Sequence, residues 1–441
     1  MKRELIQYLR KWRVSSIRKP LILRGARQVG KTYLIKQFGK EFPSFVSINL
    51  EKQPEIAALF NEDLDPKKLI QQLQLITEQK IIPGETLLFI DEAQEAPRSL
   101  IALRYFYEEC RELHVIAAGS LLDFAIEKVG LPVGRVSFLY LYPLSFIEFL
   151  QATGREIAAS AILKHPFPET VAEPIHQKWL EYVAEYIAIG GMPEVVNIWQ
   201  ETHDISACGE AQYAIAESYK QDFEKYSKRH EIKYVSLIYE QVPRQLGQVF
   251  KFNKISGDYR KRDLMPCFDL LTKALVINPV YHTDGQGLPL GAEIDHRYFK
   301  ATFVDVALAQ RLMDAHPKDW FLHPTQALIN KGEITESFVG QELLAYSDPR
   351  EKAHLYYWQR HERGSSAEID YLSTINGQVI PIEVKSGLGS SLKSLQLFLK
   401  THLSPYGIRL STHAFSLHEQ LHSYPLYAIA RLRDHETQDI F

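Results

Sequence analysis

PLILRGARQVGKTYLIKQFG, residues 20–39, decides the fold of the first third of the chain. It contains Gly25-x-x-x-x-Gly30-Lys31-Thr32 between an apolar run, LIL, and a helical pattern, TYLIKQF. Strand, glycine-rich turn and helix in that order make a phosphate-binding loop. The glycines let backbone N–H groups curl around phosphate oxygens, and the helix start adds partial positive charge. Lys31 is placed to reach the β- and γ-phosphates of ATP, and Thr32 to ligate Mg²⁺.

Such a loop needs an acid at the end of a second strand. TLLFIDEAQ (86–94) supplies it, with Leu87 to Ile90 running into Asp91-Glu92. A continuous apolar run suits a parallel strand buried on both faces. Asp91 is expected to hold Mg²⁺ through water and Glu92 to polarise the attacking water. A third strand, HVIAAGS (114–120), ends in Gly119-Ser120, and strand ends gather at the ligand crevice of an open parallel sheet. Ser120 is therefore a candidate sensor of the γ-phosphate, the alternative being a bare turn. Arg135, in VGRVSF, reads either as an arginine finger or as a local ion-pair partner.

GARQVGKT, LLFIDEAQ, AAGS, GRV, YPLSFIEFL and the later GGMPEV (190–195) occur in an order that resembles a prokaryotic group of AAA-type ATPases. In that group a C-terminal domain long labelled of unknown function follows the ATPase. The resemblance covers nearly the whole chain and implies an ATP-hydrolysing N-terminal module. It also implies a tendency to form rings, in which an arginine finger would come from a neighbouring copy, so a homo-oligomer is an expectation.

Composition sets outer bounds. At 441 residues and 45% hydrophobic content the chain is long and apolar enough for two to four domains. A net charge of −3 excludes a polycation, so any nucleic-acid surface has to be a local patch. Cys110, Cys208 and Cys267 are too scattered for a zinc site or a disulfide framework, which fits a reducing cytoplasm. The basic start MKRELIQYLRKWR lacks the apolar core of a signal peptide, and no run approaches the ~18 apolar residues of a membrane span. The expectation is a cytoplasmic protein without a membrane partner.

The expected domains are an ATPase domain over 1–150, a helical lid or connector over 151–220, a winged-helix-like region over 221–285 and an α/β domain over 286–441. His165 and His176 in the connector read as isolated surface or structural residues. Residues 220–262 carry eleven Lys or Arg against five Asp or Glu. Helix, helix, helix and strand suit a winged helix-turn-helix, whose second helix can enter a DNA major groove. Lys251, Lys254, Arg260, Lys261 and Arg262 would then meet phosphates, the alternative being a solvated charged face. The resembled family is also winged-helix-like in this region.

Near the C-terminus, AEIDYLSTINGQVIPIEVKSG (367–387) places Asn376-Gly377 between two alternating runs, a strong hairpin signal with a two-residue type I′ turn. That turn sets Asp370 opposite Glu383 and Glu368 opposite Lys385. Strict alternation puts these four on one face, and Ile369, Tyr371, Ile382 and Val384 on the other. Opposed carboxylates ~5 Å apart repel by roughly 3 kcal/mol at an effective dielectric of 20. A bridging Mg²⁺ or Mn²⁺ would turn that repulsion into ligation. A third acid, Glu342, lies on the apolar stripe of the helical stretch TESFVGQELLAY (335–346).

Glu342, Asp370 and Glu383-x-Lys385 together resemble the PD-(D/E)xK nuclease-like signature, although no Pro precedes Asp370. The resemblance implies that the three acids hold Mg²⁺ while Lys385 orients water for attack on a phosphodiester, with Asp370, Glu383 and Lys385 catalytic. It places Gln396, on the following helix, in a supporting role. Two functions follow. One is an ATPase coupled to a DNA-acting, Mg²⁺-dependent nuclease domain in DNA processing or defence. The other is an ATP-dependent switch whose C-terminal domain only binds nucleic acid or a protein. Nothing in the sequence separates DNA from RNA, though the winged-helix reading favours DNA.

Overall fold

The computed structural model describes residues 1–130, 134–226, 231–257, 259–315, 317–360, 367–385 and 392–433. Two compact units are present, one formed by Lys2–Tyr142 with Asp348–Lys352, the other by Pro143–Ser347 with Ala353–Phe441.

The first unit is built on five parallel strands: β1 (Leu21–Arg24), β2 (Ser44–Asn49), β3 (Thr86–Asp91), β4 (His114–Ala118) and β5 (Ser137–Tyr140). Their order across the sheet is β2-β3-β4-β1-β5. Every residue of β3 and β4 is buried, as the unbroken apolar run of β3 requires. Because β4 lies between β1 and β3, the residues after β4 stand between the glycine-rich loop and Asp91. The helix Lys31–Gly39 follows the loop directly.

The second unit begins with helices Phe146–Ala152, Glu156–Lys164, Glu173–Ile189, Pro193–Thr202 and Ile205–Tyr226. His165 and His176 are not isolated. The His165 ring stacks on Phe415 with centroids 4.9 Å apart, and the buried His176 lies 2.9 Å from both the Thr412 carbonyl and Tyr427 Oη. Helices Ile232–Gln241 and Lys261–Lys273 then lead into a hairpin of β6 (Ile277–Thr283) and β7 (Ile294–Phe303). Two helices, not the expected three, lie wholly within the region expected to be winged-helix-like, and a hairpin follows where a strand was expected. The hairpin is not a free wing, however, because β6 also pairs with β8 (Leu355–Gln359). An eight-stranded mixed sheet results, completed by β9 (Glu368–Ile375), β10 (Gln378–Lys385), β11 (Gly407–Ser411), β12 (Ser416–His418) and β13 (Leu421–Pro425). Its order is β12-β13-β11-β10-β9-β8-β6-β7. The expected boundary at 285/286 therefore falls between the two paired strands β6 and β7.

Two motifs of the sequence, YPLSF and GGMPEV, meet in the interior of this unit. Gly191 donates from its N–H to Asp305 Oδ2 at 2.7 Å, and its carbonyl accepts from Leu144 N at 2.7 Å. A Cβ on Gly191 would lie 2.3 Å from the Leu144 carbonyl oxygen, so only glycine allows this approach. Tyr186 Oη donates to that same carbonyl at 2.5 Å and accepts from Gln341 Nε2 at 2.7 Å. Gln341 Oε1 in turn accepts from Val306 N at 2.8 Å. Buried polar groups have to be satisfied, and here segments far apart in sequence satisfy one another.

Candidate functional site

The loop between β1 and the helix Lys31–Gly39 has left-handed backbone at Gln28 (φ 63°) and Gly30 (φ 93°). Such turns direct successive N–H groups to one side, an arrangement suited to an anion. Lys31 Nζ donates to the carbonyls of Gly25 and Ala26 at 2.9 and 2.8 Å, folding back over the loop. Burial pulls its pKa down to about 8, against the raising effect of Glu92 and Asp91. Gly25 is required by contact: a Cβ there would lie 2.4 Å from the Leu141 carbonyl oxygen.

Thr32 Oγ1 donates to Asp91 Oδ2 at 2.9 Å, so the residue after the loop lysine and the acid ending β3 already meet. Asn49, ending the neighbouring β2, approaches the same oxygen at 3.5 Å. Burial, then the charge of Glu92, raises the Asp91 pKa. Glu92 takes left-handed backbone (φ 52°), and its Oε2 accepts from Gln94 Nε2 at 2.6 Å. Gln94 also lies against Gly119, where a Cβ would come within 2.1 Å of Gln94 Oε1. Gln94 thus links the second acid to the end of β4, beside Ser120, a role its place in FIDEAQ did not announce. Arg135 pairs with Glu108 at 2.9 Å, beside the Arg104–Glu108 pair, so the local ion pair is the alternative the structure shows. A hard-oxygen pair from Thr32 and Asp91 beside a lysine and inward-turned N–H groups is a donor set that fits Mg²⁺ and a nucleoside triphosphate.

The C-terminal acids are arranged differently from the expectation. Asn376 (φ 51°) and Gly377 (φ 69°) form the turn, and the ladder pairs Gln378 with Ile375 through to Ile382 with Tyr371, as the turn demands. The register breaks between β8 and β9, where Tyr356 faces Leu372 but Trp358 faces Ile369. This bulge disrupts strict alternation. Ile369 and Leu372 both pack with Trp358, Leu395 and Phe398, the last two on the helix Lys393–Thr401 that also carries Gln396. Tyr371 turns instead to the helix Gly332–Ala345, donating to the Glu336 carbonyl at 2.8 Å. Tyr371 is therefore not on the face expected for it.

Glu342 is not beside the hairpin acids either. Both of its oxygens accept from Phe146 N at 3.0 Å, capping the helix Phe146–Ala152 together with the Ser145–Glu148 capping box. Its burial reflects a helix start in need of an acceptor, not a metal. Burial raises its pKa to about 8, partly offset by hydrogen bonds from Tyr346 and Phe146 N–H. Between its unfolded value near 4.5 and about 8, the folded state holds a proton that the unfolded chain releases. Stability therefore falls as pH rises through that window, by at most about 1.4 kcal/mol per unit. Glu342→Gln removes this dependence, so urea melts at pH 5 and pH 8 should shift less for the variant than for wild type. Parallel shifts would contradict it.

The helix acid that does reach the hairpin is Glu336, one and two-thirds turns earlier. Its Oε1 accepts from Lys300 Nζ at 2.9 Å. Lys300, from β7, is 2% exposed; it also pairs with Glu368 and lies 3.9 Å from Asp370 Oδ1. Burial would lower the Lys300 pKa, but Glu336, Asp370 and Glu368 outweigh it and hold the ammonium protonated well above the usual range. Asp370 Oδ2 accepts from Val384 N at 2.7 Å. Lys385 Nζ pairs with Glu383 Oε1 at 2.5 Å, while Glu383 Oε2 is buried with no hydrogen-bond partner among the described residues. Burial and then the Asp370 charge push Glu383 up to about 8, and burial pushes Glu336 up to about 7.

This set does not fit a divalent ion as it stands. Among the described residues, no group of three or more acidic, histidine or cysteine side chains is arranged to hold a metal. The point on which three acids converge holds an ammonium. A divalent ion ~3.5 Å from it would be repelled by roughly 9 kcal/mol at an effective dielectric of 20.

The basic residues Lys251, Lys254, Arg260, Lys261 and Arg262 are all exposed. Lys254 Nζ donates to Gln248 at 2.8 Å, Lys261 lies 5.7 Å from the Phe252 ring centre, and Arg262 is 3.7 Å from Asp263. Residues 227–230 and 258 of the basic stretch lie outside the described residues.

Comparison with known proteins assigns the parts unequally. Residues 17–150 match the family described as AAA domain. Residues 180–319 and 331–429 match two domains of unknown function, DUF8612 and DUF4143. The first unit therefore carries a P-loop domain of the AAA type. Comparison with curated proteins gives no match. Among solved structures, a Walker-type ATPase of Pyrococcus abyssi aligns at 17% identity and TM-score 0.45, covering 71% of this chain and 95% of that one. The Orc1 protein of Aeropyrum pernix in complex with DNA aligns at 12% identity and TM-score 0.28, covering 73% and 92%. AMPPCP-bound DnaA from Aquifex aeolicus aligns at 14% identity and TM-score 0.25, covering 60% and 74%. No helix among the described residues is long and apolar enough to cross a membrane.

Proposed function

We propose that this chain is an ATP-driven switch: the N-terminal unit binds and hydrolyses ATP, and the C-terminal unit grips nucleic acid without cutting it. The contact that carries the first half is the Thr32–Asp91 hydrogen bond beside the buried Lys31. Gly25 and Gly30 shape the loop around the phosphates, and Lys31 moves its ammonium from two carbonyls to the phosphate oxygens. Thr32 and Asp91 hold Mg²⁺, which when bound neutralises phosphate charge. Glu92, released from Gln94, orients water, and Ser120 senses the γ-phosphate at the end of β4. Glu92 is the one residue in this set that acts as a base.

The second half rests on Lys300, whose ammonium fills the point where Glu336, Glu368 and Asp370 converge. Exposed Lys251, Lys254, Arg260, Lys261 and Arg262 supply phosphate contacts, which do not distinguish DNA from RNA. The competing reading, Mg²⁺- or Mn²⁺-dependent cleavage at Asp370, Glu383 and Lys385, rests on the hairpin register and on the unpartnered Glu383 Oε2.

One set of assays separates the two. Wild-type protein with ATP, Mg²⁺ or Mn²⁺ and a panel of DNA and RNA is expected to hydrolyse ATP and retain the nucleic acid intact. Cleavage that Asp370→Asn abolishes would overturn the switch. Four to five phosphate contacts predict that affinity falls roughly two orders of magnitude between 50 and 200 mM salt. Replacing Lys251, Lys254 and Lys261 with Gln should flatten that slope, and an unchanged slope would remove the patch as the phosphate surface.

A further inference from the structure

An acid cluster whose central position is taken by a side chain differs in kind from one waiting for an ion. Lys300 reaches the cluster from the edge strand β7, while its acids come from the helix Gly332–Ala345 and from β9. The ammonium makes its 2.9 Å bond to Glu336, pairs with Glu368, lies 3.9 Å from Asp370 and faces the Tyr357 ring at 5.3 Å. Its side chain is 2% exposed. Bonding to Glu336 and pairing with Glu368, the ammonium occupies carboxylate oxygens that a divalent ion would otherwise claim.

The cluster also holds more carboxyl than ammonium groups. Four carboxylates, Glu336, Glu368, Asp370 and Glu383, stand with two ammonium groups, Lys300 and Lys385, and Glu383 Oε2 is left with no partner among the described residues. Deleting Lys300 would leave three acids facing one another around the space it vacates, with Glu383 beside Asp370. Hard oxygens in that number and proximity form a site for a hard divalent cation. Lys385 is not equivalent: it pairs with Glu383 alone and is 25% exposed.

We propose that Lys300 is the resident cation of this cluster, standing where a divalent ion would otherwise sit, so that the native protein holds no metal there and loss of Lys300 creates a metal site. This rests on the reading of the C-terminal unit as non-cutting and gives that reading its cause.

The test uses the full chain without nucleotide, stripped with EDTA, and Mn²⁺ as the probe, with free Mn²⁺ followed by electron paramagnetic resonance. Wild type and Asp370→Asn are expected to bind Mn²⁺ indistinguishably, because binding elsewhere does not involve Asp370. Lys300→Ala is expected to gain one further equivalent at least tenfold tighter than any wild-type binding, and the added Asp370→Asn change should abolish that gain. Lys300→Met, which keeps the apolar stem, covers the case in which the alanine variant does not fold. Asp370-dependent Mn²⁺ binding by wild type overturns the proposal, as does a folded Lys300 variant with no gain. Nucleic-acid cleavage assayed on the same samples keeps the two ideas apart. Asp370-dependent binding without cleavage sinks only the role of Lys300, whereas binding with cleavage sinks the non-cutting reading as well.

Discussion

Lys31→Met is expected to lower ATP hydrolysis by about 10²-fold or more while leaving the nucleotide-free protein as stable as wild type or slightly more so. The two halves of that expectation have one cause. Lys31 is 8% exposed, and its ammonium donates to two carbonyls. Methionine keeps most of the stem and removes a charge whose burial is unfavourable, so the fold does not suffer. Charge-assisted hydrogen bonds to phosphate are worth about 1.5–3 kcal/mol each, and losing two accounts for the fall in rate. The depressed pKa adds a signature: as pH rises through about 8 the lysine becomes neutral, and ATP affinity should weaken. Nucleotide titrations from pH 7 to pH 9 on wild type and Lys31→Met check this, the variant showing no such slope. Hydrolysis by Lys31→Met within threefold of wild type would remove Lys31 from the phosphate site.

What could be read from the sequence divides according to distance along the chain. The loop, its lysine and the acid pair are each encoded by contiguous residues, so Gly25 to Thr32 and Leu87 to Glu92 carry their own structural context. The hairpin is equally local, and Asn376-Gly377 sets the register found between β9 and β10. The bulge opposite Tyr357 is not local, since it depends on how β8 meets β9, and no turn residue announces it. The helix 332–345 illustrates the same limit. Glu336 and Glu342 are six positions apart, which separates them by about 120° around a helix. An acid on an apolar stripe signals a buried partner without saying which. Glu342 meets a helix start 196 residues away, and Glu336 meets Lys300, 36 residues away on another element. Periodicity reports burial but not the identity of the neighbour, so the choice between the two glutamates could not be made before the sheet was assembled.

Asp305→Ala is expected to destabilise the second unit by about 2–5 kcal/mol, beyond the loss of an ordinary helix cap. Asp305 is 0% exposed and accepts from three backbone N–H groups: Ala307 at 3.0 Å, Leu308 at 3.1 Å and Gly191 at 2.7 Å. The first two are the cap of the helix Val306–Leu312, worth about 1–2 kcal/mol. The third is a buried donor whose loss of a partner costs a further 1–3 kcal/mol or so. Gly190 (φ 83°) and Gly191 let the chain pass close to this carboxylate, since a Cβ on Gly190 would lie 2.4 Å from Asp305 Oδ1. The glycine pair and the aspartate are thus two halves of one device, which explains GGMPEV without recourse to a ligand. Asp305→Asn should recover only part of the loss, because its amide nitrogen must face either the helix N–H groups or Gly191 N–H, donor against donor. Ser145→Ala, which removes a cap hydrogen bond of 3.2 Å from one N–H, should cost only about 1 kcal/mol. Chemical denaturation of the three variants measures the ordering directly. An Asp305→Ala penalty no larger than that of Ser145→Ala would mean that the Gly191 N–H finds another acceptor, and the device would reduce to an ordinary helix cap.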